Sequence, residues 1–441
     1  MRKSLTAFVG AALVSGTALA QKVEFEQYTL DNGLHVVLHQ DKSAPVVITS
    51  VMYHVGAKDE DPNKTGFAHF FEHLLFEGTE NIGRGDWFKI VTANGGINNA
   101  NTTDDRTYYY EVFPSNNLQL GLWMEAERML HPVINQIGVD TQKGVIQEEK
   151  KTSYNNRPYG GLLLSIKENL YKKHPYRWQT IGKMEHIKSA ELNDFVMFNE
   201  KYYIPNNAVL VVAGDFETNQ AKKWIDEYFG TIPRGKDIVR TKIEEEPITE
   251  QRNATWEDPN IQIPMMITAY RTPSMVTRDA RVLDMISTYL SGGRTSVLYK
   301  KIVDDKKKAL QIGAFNYPQE DYGQYIIYGL PMGENTLADL LAEVDEEIVK
   351  LQKDLISERD FQKLQNIYEN QYVSNNSTIE GVASNLATYY LLYKDINLVN
   401  NEIDIYRSIT REEIREVAKK YLNPNQRVVI DYVPATATAQ N

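Results

Sequence analysis

The sequence contains no cysteine among its 441 residues. This absence excludes disulfide bonds, a lipid-modified N-terminal cysteine, a thiolate metal site and a thiol nucleophile. A metal ion would therefore have to be held by histidine or carboxylate side chains. Histidines are also few, since there are 8, and the last of them is His186. The second half of the chain offers no imidazole ligand.

Long apolar runs are missing after the first twenty residues, so the sequence predicts no membrane span. Residues 1–20 combine two basic residues, a short apolar run and Ala18-Leu19-Ala20 before Gln21, which is the pattern of a secretory signal peptide. We therefore predict export, either to the periplasm or out of the cell. The formal net charge of −11 disfavours nucleic acid as a partner.

Residues 63–78 are the segment on which the functional prediction depends. Asn63 or Thr65 can cap the start of a helix and Gly78 can end it, so the segment predicts about three helical turns. Phenylalanine and leucine fill many of the positions between them. The helix is therefore expected to pack against a core.

Two histidines of this predicted helix form a candidate metal site. His69 and His73 are four residues apart, so a helix places their Cβ atoms on one face, roughly 5–6 Å apart, where both can bind one metal ion. Glu72 shares that face and can act as a base beside the metal without being a ligand. The alternative interpretation is that both histidines are hydrogen-bonded core residues.

A second histidine pair competes with this site. His35 and His39 are also four residues apart, but they follow the turn Asn32-Gly33 in a predicted β-hairpin over residues 28–39. In a strand this spacing puts them about 13 Å apart, too far to share an ion. We therefore interpret both as surface histidines.

Further strands are predicted by apolar runs and by alternation. Residues 46–55 are largely apolar and predict a central strand, and residues 107–113 predict another. Between them, residues 97–103 are polar and predict an edge strand. An edge strand of this kind is also a place where an extended peptide can add by backbone pairing.

Two helices are predicted next, over residues 118–130 and over residues 140–152 with Asp140 as N-cap. In the second helix, Glu148 and Glu149 compete for the role of third metal ligand. Glu149 lies on the face of two apolar residues and is expected to point toward the core, which makes it the better candidate. The alternative is that both are solvated charges on the helix surface.

A repeated pattern indicates two homologous halves. Residues 201–212 are echoed by residues 420–430, and each segment follows a helical stretch and ends in an apolar strand. We predict an N-terminal domain over residues 21–235, a charged linker over residues 236–254 and a C-terminal domain over residues 255–441.

Three segments together resemble the M16 family of zinc peptidases, which includes pitrilysin, insulin-degrading enzyme and mitochondrial processing peptidase. They are the motif His69-x-x-Glu72-His73, Gly95-Gly96 with Asn99, Ala100 and Thr102, and residues 145–149, which lie about 76 residues beyond the second histidine. The resemblance covers nearly the whole chain after residue 20. It implies an α+β fold of two homologous halves, each a mostly antiparallel sheet packed against helices.

The resemblance also implies roles for individual residues. Glu72 would be the general base, and the strand containing Asn99 and Ala100 would bind the substrate. Three residues would hold one Zn²⁺ per chain: His69, His73 and Glu149. The function implied is a zinc-dependent endopeptidase that acts on extended or unfolded peptides, with a noncatalytic second half.

The chain departs from the family pattern at three positions. An arginine and a tyrosine that hold the substrate in the family align with Val303 and Leu310, and neither can donate a hydrogen bond. A family glutamate seven residues before the third ligand is replaced by Gln142, beside the metal site, which is expected to weaken zinc binding or change activity.

These departures shape the prediction about partners. We predict a heterodimer with a homologous M16 subunit that carries the arginine and the tyrosine, and a homodimer is the alternative. A second hypothesis is a noncatalytic scaffold or assembly subunit with a vestigial metal site.

Overall fold

A computed structural model describes residues 22–435. The predicted signal peptide, residues 1–20, lies outside the described residues. The described chain forms two β-sheets, of 6 and 5 strands, each packed against helices. Among the helices of residues 22–435, we find none with the length and hydrophobicity of a membrane span.

The first sheet is built from residues of the first half. Its strands are β1 (Glu26–Thr29), β2 (His35–Gln40), β3 (Val46–Tyr53), β4 (Ile97–Thr102), β5 (Thr107–Pro114) and β6 (Ala208–Gly214). The spatial order is β1-β2-β6-β3-β5-β4, in which β2 and β6 pair in parallel and the other neighbours are antiparallel. The predicted hairpin, the central strand and the polar edge strand are all confirmed.

The second sheet repeats this arrangement. Its strands are β7 (Arg252–Asp258), β8 (Met265–Thr272), β9 (Ala309–Tyr317), β10 (Gly323–Pro331) and β11 (Arg427–Pro434). The order β7-β11-β8-β10-β9 matches β2-β6-β3-β5-β4, and β7 and β11 are likewise a parallel pair. The sheets and their helices confirm the predicted α+β fold class with two homologous halves.

Within residues 22–435, eight α-helices belong to the first half and six to the second. The first eight are α1 (Phe67–Leu74), α2 (Trp87–Ala93), α3 (Leu118–Leu130), α4 (Gln136–Lys150), α5 (Leu162–Leu170), α6 (Met184–Ser189), α7 (Leu192–Tyr202) and α8 (Thr218–Phe229). The others are α9 (Arg278–Ser291), α10 (Leu337–Lys353), α11 (Glu358–Asn375), α12 (Ile379–Leu391), α13 (Leu398–Ser408) and α14 (Arg411–Tyr421). The segments α7–β6 and α14–β11 are the repeat that the sequence predicts.

The two halves exchange one helix each. Apolar residues of α12, from the second half, pack on one face of the first sheet, against β2, β3 and β6. In return, α5 of the first half packs on the second sheet, against β8 and β11. Residues 230–251, all within the described chain, join the two sheets without a helix or strand. The domain boundaries at residues 235 and 255 stay a prediction.

Three local predictions need correction. The helix that carries His69 and His73, called the metal helix below, is shorter than the predicted segment 63–78. It is α1, which begins at Phe67 and ends at Leu74, with Gly66 as its N-cap. The helix α4 begins at Gln136, because the side chain of Asn135 accepts a hydrogen bond from the backbone N–H of Gly138 at 2.9 Å. It ends at Lys150 and continues as a π-helical turn, Lys151–Asn155.

The third correction concerns His35, which was predicted at the surface. Its ring is buried and stacks on Tyr390 of α12, with ring centroids 3.7 Å apart. Its nitrogens contact the side chains of Thr29 and Gln27, each at 3.0 Å. Burial lowers the pKa of His35 from 6.5 to about 4, so the ring is neutral at pH 7. His35 is part of the joint between the halves.

Candidate metal centre

The start of the metal helix is fixed by a buried carboxylate. Glu60 accepts hydrogen bonds from the backbone N–H groups of Gly66, at 2.8 Å, and Ala68, at 2.9 Å. Gly66 has φ of +98°, and a Cβ there would lie 2.8 Å from the carbonyl oxygen of Ile181. Burial raises the pKa of Glu60 well above 4.5. The carboxyl group of Glu60 and the backbone conformation of Gly66 therefore determine the residue at which α1 begins.

The apolar face of α1 determines where the histidines point. The ring of Phe67 stacks on Phe195 of α7 at 4.7 Å, and the ring of Phe70 lies 4.4 Å from the same ring. These phenylalanines are buried, whereas His73 is half-buried on the side that faces α4. The aromatic contacts thus hold both histidines toward α4.

The structure brings the three predicted ligands together. Oε1 of Glu149 lies 3.5 Å from Nε2 of His69, and Oε2 of Glu149 lies 3.3 Å from Nε2 of His73. One ligand atom from each of the three side chains lies within 4.8 Å of the others. Among residues 22–435, this is the one group of three histidine or acidic side chains with such spacing.

These residues fit a zinc ion. Ligands about 2.0–2.2 Å from a tetrahedral zinc are about 3.4 Å apart, which matches both nitrogen–oxygen distances. Burial lowers the pKa of His69, which keeps its lone pair free of a proton at pH 7. A hydrogen bond from His73 lowers the pKa of Glu149, so this carboxylate is ionised. Nδ1 of His69 is buried and has no hydrogen-bond partner among the described residues.

The neighbouring acid is placed differently. The side chain of Glu148 is 63% exposed and lies 3.5 Å from Lys151 on the surface of α4. Among the ion pairs formed within residues 22–435, Glu148 pairs with neither His69 nor His73. Of the two adjacent glutamates, Glu149 is the one beside the histidines, and its role as third ligand stays a prediction.

Glu72 is half-buried on the same turn of α1 and is not one of the three clustered side chains. Tyr154, on the π-helical turn after α4, is a residue that no pattern in the sequence selects. Burial raises the pKa of Tyr154, and the nearby charges of Glu149 and Glu72 raise it further. The π-helical turn after α4 carries this phenol. No local sequence pattern predicts such a turn.

The predicted substrate strand lies at the edge of the first sheet. β4 pairs with β5 on one side only, and α1 packs against it. Ala100 is buried against α1, while Asn99 is exposed and its Oδ1 accepts a hydrogen bond from the Ala100 N–H at 2.9 Å. The backbone of this strand is therefore next to the three clustered ligands.

The remaining predicted positions lie farther from the cluster. Gln142 donates from Nε2 to Oε1 of Glu77 at 2.5 Å and contacts the segment after α1 rather than a histidine. Val303 is partly buried in the core of the second half, and Leu310 is 50% exposed on β9. That these two residues stand where the family has its hydrogen-bond donors stays a prediction.

Family models match most of the chain. The model described as insulinase, peptidase family M16, matches residues 35–182, and the model described as peptidase M16 inactive domain matches residues 189–368. The chain belongs to peptidase family M16. With one region of each kind, it is a short, two-domain member of that family.

Individual M16 proteins are similar over nearly the whole chain. It is 28% identical over 415 residues to the zinc protease PqqE of Helicobacter pylori, covering 93% of both proteins. It is 23% identical over 403 residues to the uncharacterized zinc protease YmxG of Bacillus subtilis, covering 90% of this chain and 95% of that protein.

Solved structures agree with these matches. The crystal structure of a protease from Helicobacter pylori superimposes with a TM-score of 0.89 and 27% identity, over 94% of this chain and all of that one. A peptidase M16 inactive domain from Pseudomonas fluorescens superimposes with a TM-score of 0.83 at 15% identity, over 94% of this chain and 99% of that one. The second similarity concerns the fold alone.

Proposed function

We propose that this M16 chain is a zinc-dependent endopeptidase that hydrolyses peptide bonds in extended or unfolded peptides. The observation that carries the proposal is the convergence of His69, His73 and Glu149, with Glu72 beside them and the edge strand β4 alongside. A noncatalytic scaffold would not require Glu72, an acidic residue beside the metal ligands that is not itself a ligand. Relatives named zinc proteases support the same activity.

Each group has a role in the proposed mechanism. His69, His73 and Glu149 would hold Zn²⁺, which when bound polarises a carbonyl group and lowers the pKa of water toward about 7. Glu72 accepts a proton from the attacking water and passes it to the leaving amine. An extended peptide pairs with β4 near Asn99 and Ala100, so its scissile bond lies beside Glu72.

The partner is part of the proposal. Because Val303 and Leu310 cannot donate hydrogen bonds, we propose a heterodimer in which a homologous M16 subunit supplies an arginine and a tyrosine. A homodimer is the alternative. The pattern of residues 1–20 supports export to the periplasm or the exterior.

A noncatalytic scaffold is the second candidate, and the same missing donors favour it. The test is to purify the chain without residues 1–20, to quantify zinc and to assay a pool of quenched peptides, alone and with a homologous partner. Activity in either case supports the peptidase, and activity only with the partner supports the heterodimer. Bound zinc without activity in both cases would favour the scaffold.

A further inference from the structure

A buried guanidinium group lies at the C-terminal end of the metal helix. Arg128 of α3 is 1% exposed, and its Nη1 donates to the carbonyl oxygen of Leu75 at 3.1 Å. This carbonyl lies at the C-terminal end of α1, where carbonyl groups have no N–H partner within the helix. The guanidinium carbon is also 4.0 Å from the ring centre of Trp87 and 4.4 Å from that of Tyr109.

Tyr109 adds a second contact with the same helix. Its hydroxyl donates to the carbonyl oxygen of Phe71 at 2.7 Å, and Tyr109 is itself fully buried. Phe71 and Leu75 are separated by one turn, and His73 lies between them in sequence. Arg128 and Tyr109 therefore hold both sides of the turn that carries His73.

Two carboxyl groups fix Arg128 in turn. Nη2 lies 2.7 Å from Oε1 of Glu111, and Nε lies 3.2 Å from Oε2 of Glu125. All three side chains are 0% exposed. Such a buried ionic group often adds no stability over apolar residues of the same volume. Core packing alone does not account for three ionisable side chains behind the metal helix.

Both ends of α1 are held by buried polar side chains. Glu60 binds the N–H groups at the start, and Arg128 binds a carbonyl at the end. The positive charge of Arg128 at the C-terminal end is the sign that a helix dipole favours there. Because α1 has only 8 residues, the contacts at its ends act together with the aromatic contacts of its apolar face in orienting both imidazole rings.

From these contacts we infer that Arg128, together with Tyr109, is a positioning residue for the metal centre. It holds the last turn of α1 so that His73 and His69 reach Glu149 at the spacing that the metal requires. This inference rests on the proposed zinc-binding function. Arg128 touches neither substrate nor metal and acts through α1.

The test measures zinc affinity rather than activity. Zinc dissociation constants of the purified chain are determined by competition with a chromophoric chelator, and the absorption spectrum of the Co²⁺-loaded protein reports the ligand geometry. Arg128→Met is expected to weaken zinc binding about 10–100-fold, as loss of a group that orients a ligand does, and to shift the Co²⁺ bands. Arg128→Lys, which keeps the charge, is expected to recover part of the affinity.

A matched control separates positioning from stability. Arg281 is another buried arginine, 2.8 Å from Glu402 in the second half, and it binds backbone carbonyls of its own region. Arg281→Met is expected to lower the urea midpoint without changing the zinc dissociation constant. An equal loss of zinc affinity in this control would overturn the inference.

Two more variants keep the test decisive if Arg128→Met does not fold. The triple variant Arg128→Met, Glu111→Gln, Glu125→Gln leaves no buried charge unpaired and is expected to fold with weakened zinc binding. Tyr109→Phe removes only the hydroxyl that holds Phe71 and is expected to weaken zinc binding several-fold. Unchanged affinity in both would overturn the inference, whereas a wild-type chain that binds no zinc would overturn the proposed function instead.

Discussion

Nζ of Lys58 lies 2.7 Å from Oε2 of Glu320, and this ion pair joins the first half of the chain to the loop between β9 and β10. The Lys58 side chain is 9% exposed. Asp105 and Asp321 lie 3.0 Å and 3.1 Å from the same ammonium group. Burial alone would lower the pKa of Lys58, but the three carboxylates raise it. The lysine is therefore a charged connection between the two halves.

Removing this ammonium group is expected to destabilise the protein. Lys58→Met removes the ammonium group that three carboxylates share, and the free energy of unfolding should fall by about 3–5 kcal/mol. Urea denaturation measures the loss. Lys42→Met is the control, because the side chains of the Lys42–Glu217 pair are 54% and 75% exposed and solvent screens their attraction. Equal losses in the two variants would contradict the assignment.

The same cluster predicts a stability that depends on pH. Despite burial, which opposes the shift, contacts with His54 and Lys58 lower the pKa of Glu320 from 4.5 to about 2. Contacts with His174 and Lys58 lower that of Asp321 from 3.8 to about 2, again against burial. Because both folded pKa values lie below the unfolded ones, this stabilisation is complete above about pH 5 and is lost as the pH falls toward 2.

The measurement is the urea midpoint as a function of pH. The wild-type midpoint is expected to fall between about pH 5 and pH 2. Glu320→Gln should start from a lower midpoint at pH 7 and decline less steeply. Parallel curves for the two proteins would show that Glu320 does not carry this dependence.

The two adjacent glutamates of α4 should differ in their effect on zinc. Glu149→Gln removes a proposed ligand and should weaken zinc binding by more than the roughly 10–100-fold typical of groups behind a ligand. Glu148→Gln changes an exposed side chain and should leave the zinc dissociation constant as it is. Calorimetric titration of the apo protein with Zn²⁺ measures both. A larger effect at Glu148 would reverse the choice of third ligand.

Glu72 should affect turnover but not the metal. Glu72→Gln removes the proposed base while keeping the size of the side chain, so kcat should fall by roughly 10²–10⁴-fold. Zinc content, measured by atomic absorption on the same sample, should be unchanged. Full activity with unchanged zinc would exclude Glu72 as the base.

Local patterns in the sequence were sufficient for much of the fold. Apolar runs and alternation predicted β3, β5 and the edge strand β4, and helical periodicity predicted α3 with the bounds that the structure has. The four-residue spacing of His69 and His73 placed them on one helix face. These predictions succeed because each depends on contacts within one element.

Other features depend on residues far away in the chain. The start of α1 is set by Glu60 and by the close approach of Ile181 to Gly66, neither of which a capping pattern reveals. His35 alternates like a surface residue, but its ring is buried against Tyr390 of the second half. Arg128 follows Glu125 by three residues, which in sequence looks like an ordinary exposed ion pair. Tertiary packing decides all of these cases.

The exchange of α5 and α12 should keep the two halves associated even if the chain is cut between them. A proteolytic cut within residues 236–254 would break the covalent connection. Each fragment would still bind the other, because one of its helices packs on the sheet of the other fragment. The two fragments of the cut protein should therefore elute together in size-exclusion chromatography. Either fragment produced alone would leave an apolar sheet face bare, so the two homologous halves have become mutually dependent for folding.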